Sequence, residues 1–285
     1  MIEIKPRQKI TAHRKQISTV REIQTIINRL YIQTHRRPSS LIISLTQPLL
    51  WLILFGALFQ NAPIYLFEGR STEYKEFLNS GIIVFTAFNS SVNSGLPVIF
   101  DREFGFINRI LISPLISKKS IVYSCIIYSW FVANTQVLTI ISFHLCQLGK
   151  TNSLYQLMTI LTISSLIIIS ISSLSICSAF ILPGHIEFIA LSVLFVNLPT
   201  LFTSTALAPL TFMPYWLQII VCINPLTYAI EIIRKSQIEE FVYINTEIVN
   251  TVLFKMEVKE SLAIILIINL VSLTCINRTI KYKYD

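Results

Sequence analysis

Charged side chains are scarce in this chain: 13% of its 285 residues, against 53% hydrophobic, with a mean hydropathy of +0.64. Soluble domains carry about a quarter charged residues, so water is excluded as the main solvent. Cysteine is also sparse. Cys125, Cys146, Cys177, Cys222 and Cys275 make an odd total, each inside an apolar stretch and without CxxC spacing. That pattern speaks for small core residues and against a disulfide framework or a metal site. Motifs for catalysis within a membrane are missing: there is no HExxH and no GxSxG, and His144 and Glu187 stand only near the ends of apolar runs. Gly149-Lys150-Thr151 ends like a phosphate-binding loop, but His144 occupies the position of the loop's first glycine. No ATP site is therefore expected on this chain.

Long apolar runs are what the chain has instead. Stretches at about 41–60, 77–100, 120–148, 154–182 and 186–210 exceed the roughly 18 residues that a bilayer crossing needs, and 261–277 is charge-free and borderline in length. They predict an all-α polytopic membrane protein with six transmembrane helices, divided into a cytoplasmic N-terminal region (1–40) and a transmembrane domain (41–285). Polar and basic residues fill the chain before the first run, which is read as a span and signal anchor rather than a cleaved leader. With the N-terminus inside, sixteen of the 23 basic residues fall on the inner side: Lys5, Arg7, Lys9, Arg14, Lys15, Arg21, Arg29, Arg36, Arg37, Arg102, Arg109, Lys118, Lys119, Arg278, Lys281 and Lys283. This bias places both termini in the cytoplasm-equivalent compartment. It also accounts for the basic residues without a nucleic-acid partner.

Thr19-Val20-Arg21-Glu22 has the form of a capping box. After it, Ile23, Ile27, Leu30 and Tyr31 continue a helical apolar spacing begun by Ile17 and Val20, opposite Arg21, Gln24, Asn28 and Arg29. An N-terminal amphipathic helix of this kind is expected in the membrane interface, with basic residues toward lipid headgroups, and can also collar the bundle. After the second run, Asp101-Arg102-Glu103-Phe104-Gly105-Phe106 and its continuation to Pro114 alternate charge with bulky apolar residues. They predict a short amphipathic helix broken at Gly105 and stopped before Pro114. Further on, Pro209, Pro214 and Pro225 cut an apolar region into pieces of about ten residues, too short to cross at about 1.5 Å per residue. Re-entrant half-helices between spans five and six are expected, enclosed by protein or lining a water-filled cavity. The Asn224 amide is expected to partner carbonyls freed at the Pro225 break.

Three motifs in order carry a family resemblance: Arg36-Arg37-Pro38 with Gln47-Pro48-Leu49-Leu50-Trp51-Leu52 and Phe55-Gly56; the 101–114 stretch; and the run from Asn197 through Met213-Pro214-Tyr215-Trp216 to Asn224-Pro225-Leu226-Thr227-Tyr228 and Arg234. Together they resemble type-2 ABC export permeases, particularly cyanobacterial and plastid-encoded members, over nearly the whole chain. The resemblance implies a homodimer surrounded by membrane lipid and a separate ABC ATPase (nucleotide-binding) subunit that holds ATP and Mg, with no cofactor on this chain. It implies coupling to that subunit through Asp101, Arg102, Glu103, Gly105, Arg109 and Pro114. An outer gate is implied at Pro209, Pro214, Asn224, Pro225, Tyr228, Glu231 and Arg234. The expected activity is export of a hydrophobic or amphiphilic substrate. The alternative is an ion-coupled secondary transporter, whose cation Asn89, Asn93, Asn134 and Asn197 could coordinate, although the span centres carry no ionisable residue. The short 61–76 loop argues against a macrolide-exporter type. A preference for Ile, Lys and Asn over Ala and Gly suggests an AT-rich genome such as an algal plastid's, the other setting being a bacterial inner membrane.

Overall fold

The computed structural model describes residues 12–36, 38–59, 74–112, 119–148, 153–181, 195–238, 243, 245–250 and 255–284. Helix follows from the solvent: with no water in a bilayer core, each backbone N–H and C=O must be satisfied within its own segment. Among the described residues, five helical stretches are long and apolar enough to cross. They are α2 (Pro38–Leu58); α3 (Tyr74–Val92), continued through a 3-10 turn at Asn93–Gly95 into α4 (Leu96–Glu103); α6 (Lys119–Leu148); α7 (Leu154–Ile181); and α11 (Val258–Tyr284). The protein is an all-α polytopic membrane protein. Its many serines and threonines are absorbed by bonding back to the preceding turn, as Thr86 to Ile82 O at 2.7 Å and Ser170 to Leu166 O at 2.9 Å.

Helix α7 is the pillar, packed against α3, α6 and α11. Ser164, Ser170, Ser172 and Ser173 are buried along it among Ile160, Ile163, Ile167 and Ile168. Small side chains let backbones approach where lipid offers no hydrophobic drive between helices. The 3-10 turn in the second span is held by the same device: Ser175 Oγ donates to Val92 O at 2.6 Å and accepts from Gly95 N at 3.0 Å. A Cβ on Gly95 would stand 2.7 Å from Ser175 O.

Helix α1 (Ala12–His35) runs along α6 in the same sense, with Ser120 Oγ bonded to Glu22, Ser124 Oγ to Ile23 O, and Tyr128 OH to Thr34. Its amphipathicity divides differently from the expectation. Ile26 and Leu30 pack on the bundle, whereas Val20 and Tyr31, assigned to the same apolar face, are 60% and 63% exposed. Arg29, assigned to the polar face, turns inward.

Two other expectations are revised. The fifth predicted run, 186–210, lies partly outside the described residues (182–194), and its described part is helical only over 195–202, here α8, before turning at 203–208. Pro209 cannot continue the ladder, and the segment ahead of it is gripped by side chains from other helices. A two-stranded antiparallel hairpin, β1 (Glu247–Asn250) with β2 (Lys255–Glu257), adds a small element that the helical reading did not foresee.

Candidate functional site

The basic end of the bundle carries an elbow. Helix α4 stops at Glu103, Phe104 and Gly105 make the turn, and α5 (Phe106–Ile112) leaves in a new direction. Gly105 has φ +70°, the left-handed region that costs other residues about 1–2 kcal/mol, and the space a Cβ would take there is open. One guanidinium holds both arms. Arg29 of α1 forms a forked pair with Asp101, at 2.8 and 2.5 Å, and lies 3.7 Å from the centre of the Phe106 ring. Arg102 donates at 2.8 Å to Ala179 O in the last turn of α7, where helix carbonyls lack intrahelical partners. Asp101 and Arg102 therefore bind inward, while Glu103, Phe104, Arg109 and Ile112 are exposed. Pro114 lies outside the described residues.

At the opposite end, α9 (Tyr215–Ile223) and α10 (Pro225–Ile238) meet at 87°. Asn224 is extended at φ −75°, ψ 118°, as a residue before proline prefers, and Pro225 opens α10 where an N–H is not required. The carbonyls freed at this break are taken by α10 itself: Thr227 Oγ1 donates to Val221 O at 2.7 Å and Tyr228 OH to Cys222 O at 2.5 Å. The Asn224 amide, expected to serve them, reaches instead to Thr200 O and Thr203 O at 3.2 and 2.8 Å, while its Oδ1 accepts from Leu226 N.

That redirected amide is one of four side chains that hold the irregular segment after α8. Arg234 donates to Thr205 O at 2.8 Å, Tyr74 OH to Leu207 O at 3.1 Å, and Gln218 Nε2 to Leu210 O and Met213 O at 3.1 and 2.9 Å. Buried irregular backbone has to find such partners, since unmet carbonyls cost about 1–3 kcal/mol each. The backbone also comes close to α3, where a Cβ on Gly81 would lie 2.4 Å from Ala206 O. Arg234 is itself paired with Glu231 and stacked 3.6 Å over Phe77. Pro209, buried, and Pro214, exposed, are both extended and flank the 3-10 turn Leu210–Phe212.

The structure thus brings Asn224, Pro225, Tyr228, Glu231 and Arg234 into one framework. Sequence reasoning missed Tyr74, Phe77, Gly81 and Gln218, and named Arg29 and Phe106 in separate amphipathic segments without their contact. Gly81, alone in an apolar helix, carried a readable signal of close backbone approach. The sequence profile of the family described as ABC-2 type transporter matches residues 21–238, from within α1 to the end of α10. The chain belongs to that family. This ABC-2 permease is 47% identical over 247 residues to "Putative transport permease ycf38" of Porphyra purpurea, covering 86% of the chain and 82% of the relative. The proteins of the same name from Pyropia yezoensis and Cyanophora paradoxa are 49% identical over 214 residues (75% and 73% covered) and 44% over 263 (92% and 90%). These homologues come from algal plastid genomes, and the ABC-2 permease is an integral multi-pass membrane protein of a plastid. It is a transporter permease subunit, of a family that generally implies an ABC ATPase partner.

Proposed function

We propose that this permease works as a homodimer with six spans per chain, exporting a hydrophobic or amphiphilic substrate with energy from a separate ATPase subunit that binds ATP and Mg. The observation that carries this reading is the elbow: Glu103, Phe104, Arg109 and Ile112 project from the basic end, while Arg29 and Arg102 tie the same turn to α1 and α7. A push on the exposed residues is passed through these two guanidinium contacts to the bundle. Closure of the ATPase subunits then biases an equilibrium between inward- and outward-open states by its different contacts with each. The α9–α10 bend, with its carbonyls held by side chains, forms the outer gate.

A second reading, ion-coupled secondary transport, draws on one cluster. Asn197 Nδ2 donates to Asn89 Oδ1 at 2.8 Å, Asn93 lies beside them, and Asn197 Oδ1 is buried without a partner among the described residues. Three amides could wrap a cation. Co-expression with the partner ATPase separates the readings. Substrate-stimulated hydrolysis is expected, and Asp101→Lys with Glu103→Lys should keep hydrolysis while stopping transport; adding Arg29→Glu should restore part of it by re-forming the ion pair. Uptake driven by an ion gradient with no ATPase would overturn the proposal.

A further inference from the structure

A cavity of about 990 Å³ lies between α1, the start of α2 and α6. Arg21, Gln24, Asn28, Tyr31 and His35 line its α1 wall, spaced three or four residues apart so that they form one stripe of the helix. The opposite wall is apolar and aromatic, with Tyr128, Phe131 and Val132 of α6 and Leu41 of α2.

Its depth follows from register. Leu41 begins the apolar run of the first span, and Gln136 Nε2 of α6 bonds Ser44 Oγ of α2 at 2.8 Å, so Phe131 and Thr135 stand at the level where that span starts. The α2 end of the cavity is therefore at the start of the hydrocarbon, and from there the cavity extends along α1 toward Arg21 and the basic end of the protein. Its lining holds a guanidinium, two amides, an imidazole and hydroxyls, but no carboxylate. Among the described residues the Arg21 guanidinium has no acidic partner, although Arg29, two turns on, is fully engaged by Asp101. Phe131 is 55% exposed and Tyr31 63% exposed, leaving a greasy flank beside the donors that no described part of the chain covers.

We propose that this cavity is a binding site for one anionic, phosphate-bearing glycerolipid. Its phosphate lies on Arg21 with hydrogen bonds from Gln24 and Asn28, within two turns of it on the same stripe, and an acyl chain runs from there toward Phe131 and Val132. A charged donor beside amide donors matches a phosphodiester, and the apolar wall adds what a soluble anion cannot use. Bound there, the lipid fills the gap between α1 and α6 and fixes the helix that carries Arg29.

The test uses the full chain in nanodiscs of phosphatidylcholine with phosphatidylglycerol, counting lipids retained after detergent exchange by native mass spectrometry. Selective retention of phosphatidylglycerol is expected, reduced roughly tenfold in Arg21→Gln and less in Arg21→Lys, which keeps charge but loses the fork. Arg36→Gln, just outside the lining, should retain as the unmodified chain does. Val132→Trp, which fills the apolar wall without changing charge, should also lose the lipid and decides the matter if Arg21→Gln does not fold. Equal retention of both lipids, equal loss in Arg36→Gln and Arg21→Gln, or full displacement by inorganic phosphate would each overturn the site.

Discussion

Arg234 is 6% exposed within an apolar framework, yet its guanidinium meets the Glu231 carboxylate, the carbonyls of Thr205 and Phe77, and the Phe77 ring. A planar fork can address these directions together; a lysine ammonium presents a single point charge. Removing one partner of a buried ion pair typically costs about 3–5 kcal/mol, because the other is left uncompensated. Arg234→Met should therefore lower the unfolding midpoint in detergent sharply, and Glu231→Gln combined with it should recover part of the loss. A midpoint unchanged in Arg234→Met would mean that these contacts contribute nothing. Arg234 was legible as part of a motif, but its partners were not. Phe77 and Thr205 lie 157 and 29 residues away, and no local pattern links an arginine to a carbonyl at such separation.

Among the elements, two glycines make opposite predictions. Gly81 faces Ala206 backbone at a distance no Cβ tolerates, so Gly81→Ala must push the 203–208 segment off α3 and loosen the bonds from Tyr74 and Arg234. Gly105 has open space but φ +70°, so Gly105→Ala should cost only about 1–2 kcal/mol of local strain. Thermal unfolding should rank Gly81→Ala well below Gly105→Ala, and the reverse order would refute the close packing of α3 on that segment. The α9–α10 bend is held by more than its proline. Thr227 and Tyr228 keep bonding the α9 carbonyls in Pro225→Ala, so that variant alone should stay bent, whereas Asn224→Leu with Pro225→Ala should lengthen the distance between spin labels at Trp216 and Ile238. Lengthening in Pro225→Ala alone would assign the bend to the proline. Element existence was legible here because apolar length and proline position act locally. Element ends were less so: α8 stops at 202 since its continuation is claimed by the side chains of Asn224 and Arg234, and the β-hairpin falls in a stretch where β-branched and apolar residues such as Ile248, Val249 and Met256 mix with charges, too short for a search for long apolar runs.

At the scale of the molecule, the chain is a bundle with two unlike ends. Arg21, Arg29, Arg36, Arg102, Arg109 and Arg278 gather where α1 and the elbow are, and the α9–α10 bend occupies the other end. The spans and this charge asymmetry were readable from composition, since both are one-dimensional quantities. The packing order around α7 was not, because in lipid-facing helices apolar residues surround the axis and leave no stripe that names the neighbour. The central claim, that the elbow meets a separate ATPase, is tested most directly by photo-crosslinking in the plastid membrane. A benzophenone side chain at Arg109 should capture an ATPase subunit, with capture altered by nucleotide, while the same group at Trp216 should capture none. Capture at Trp216 with none at Arg109, or a functional transporter from which no ATPase is recovered at either site, would contradict the account.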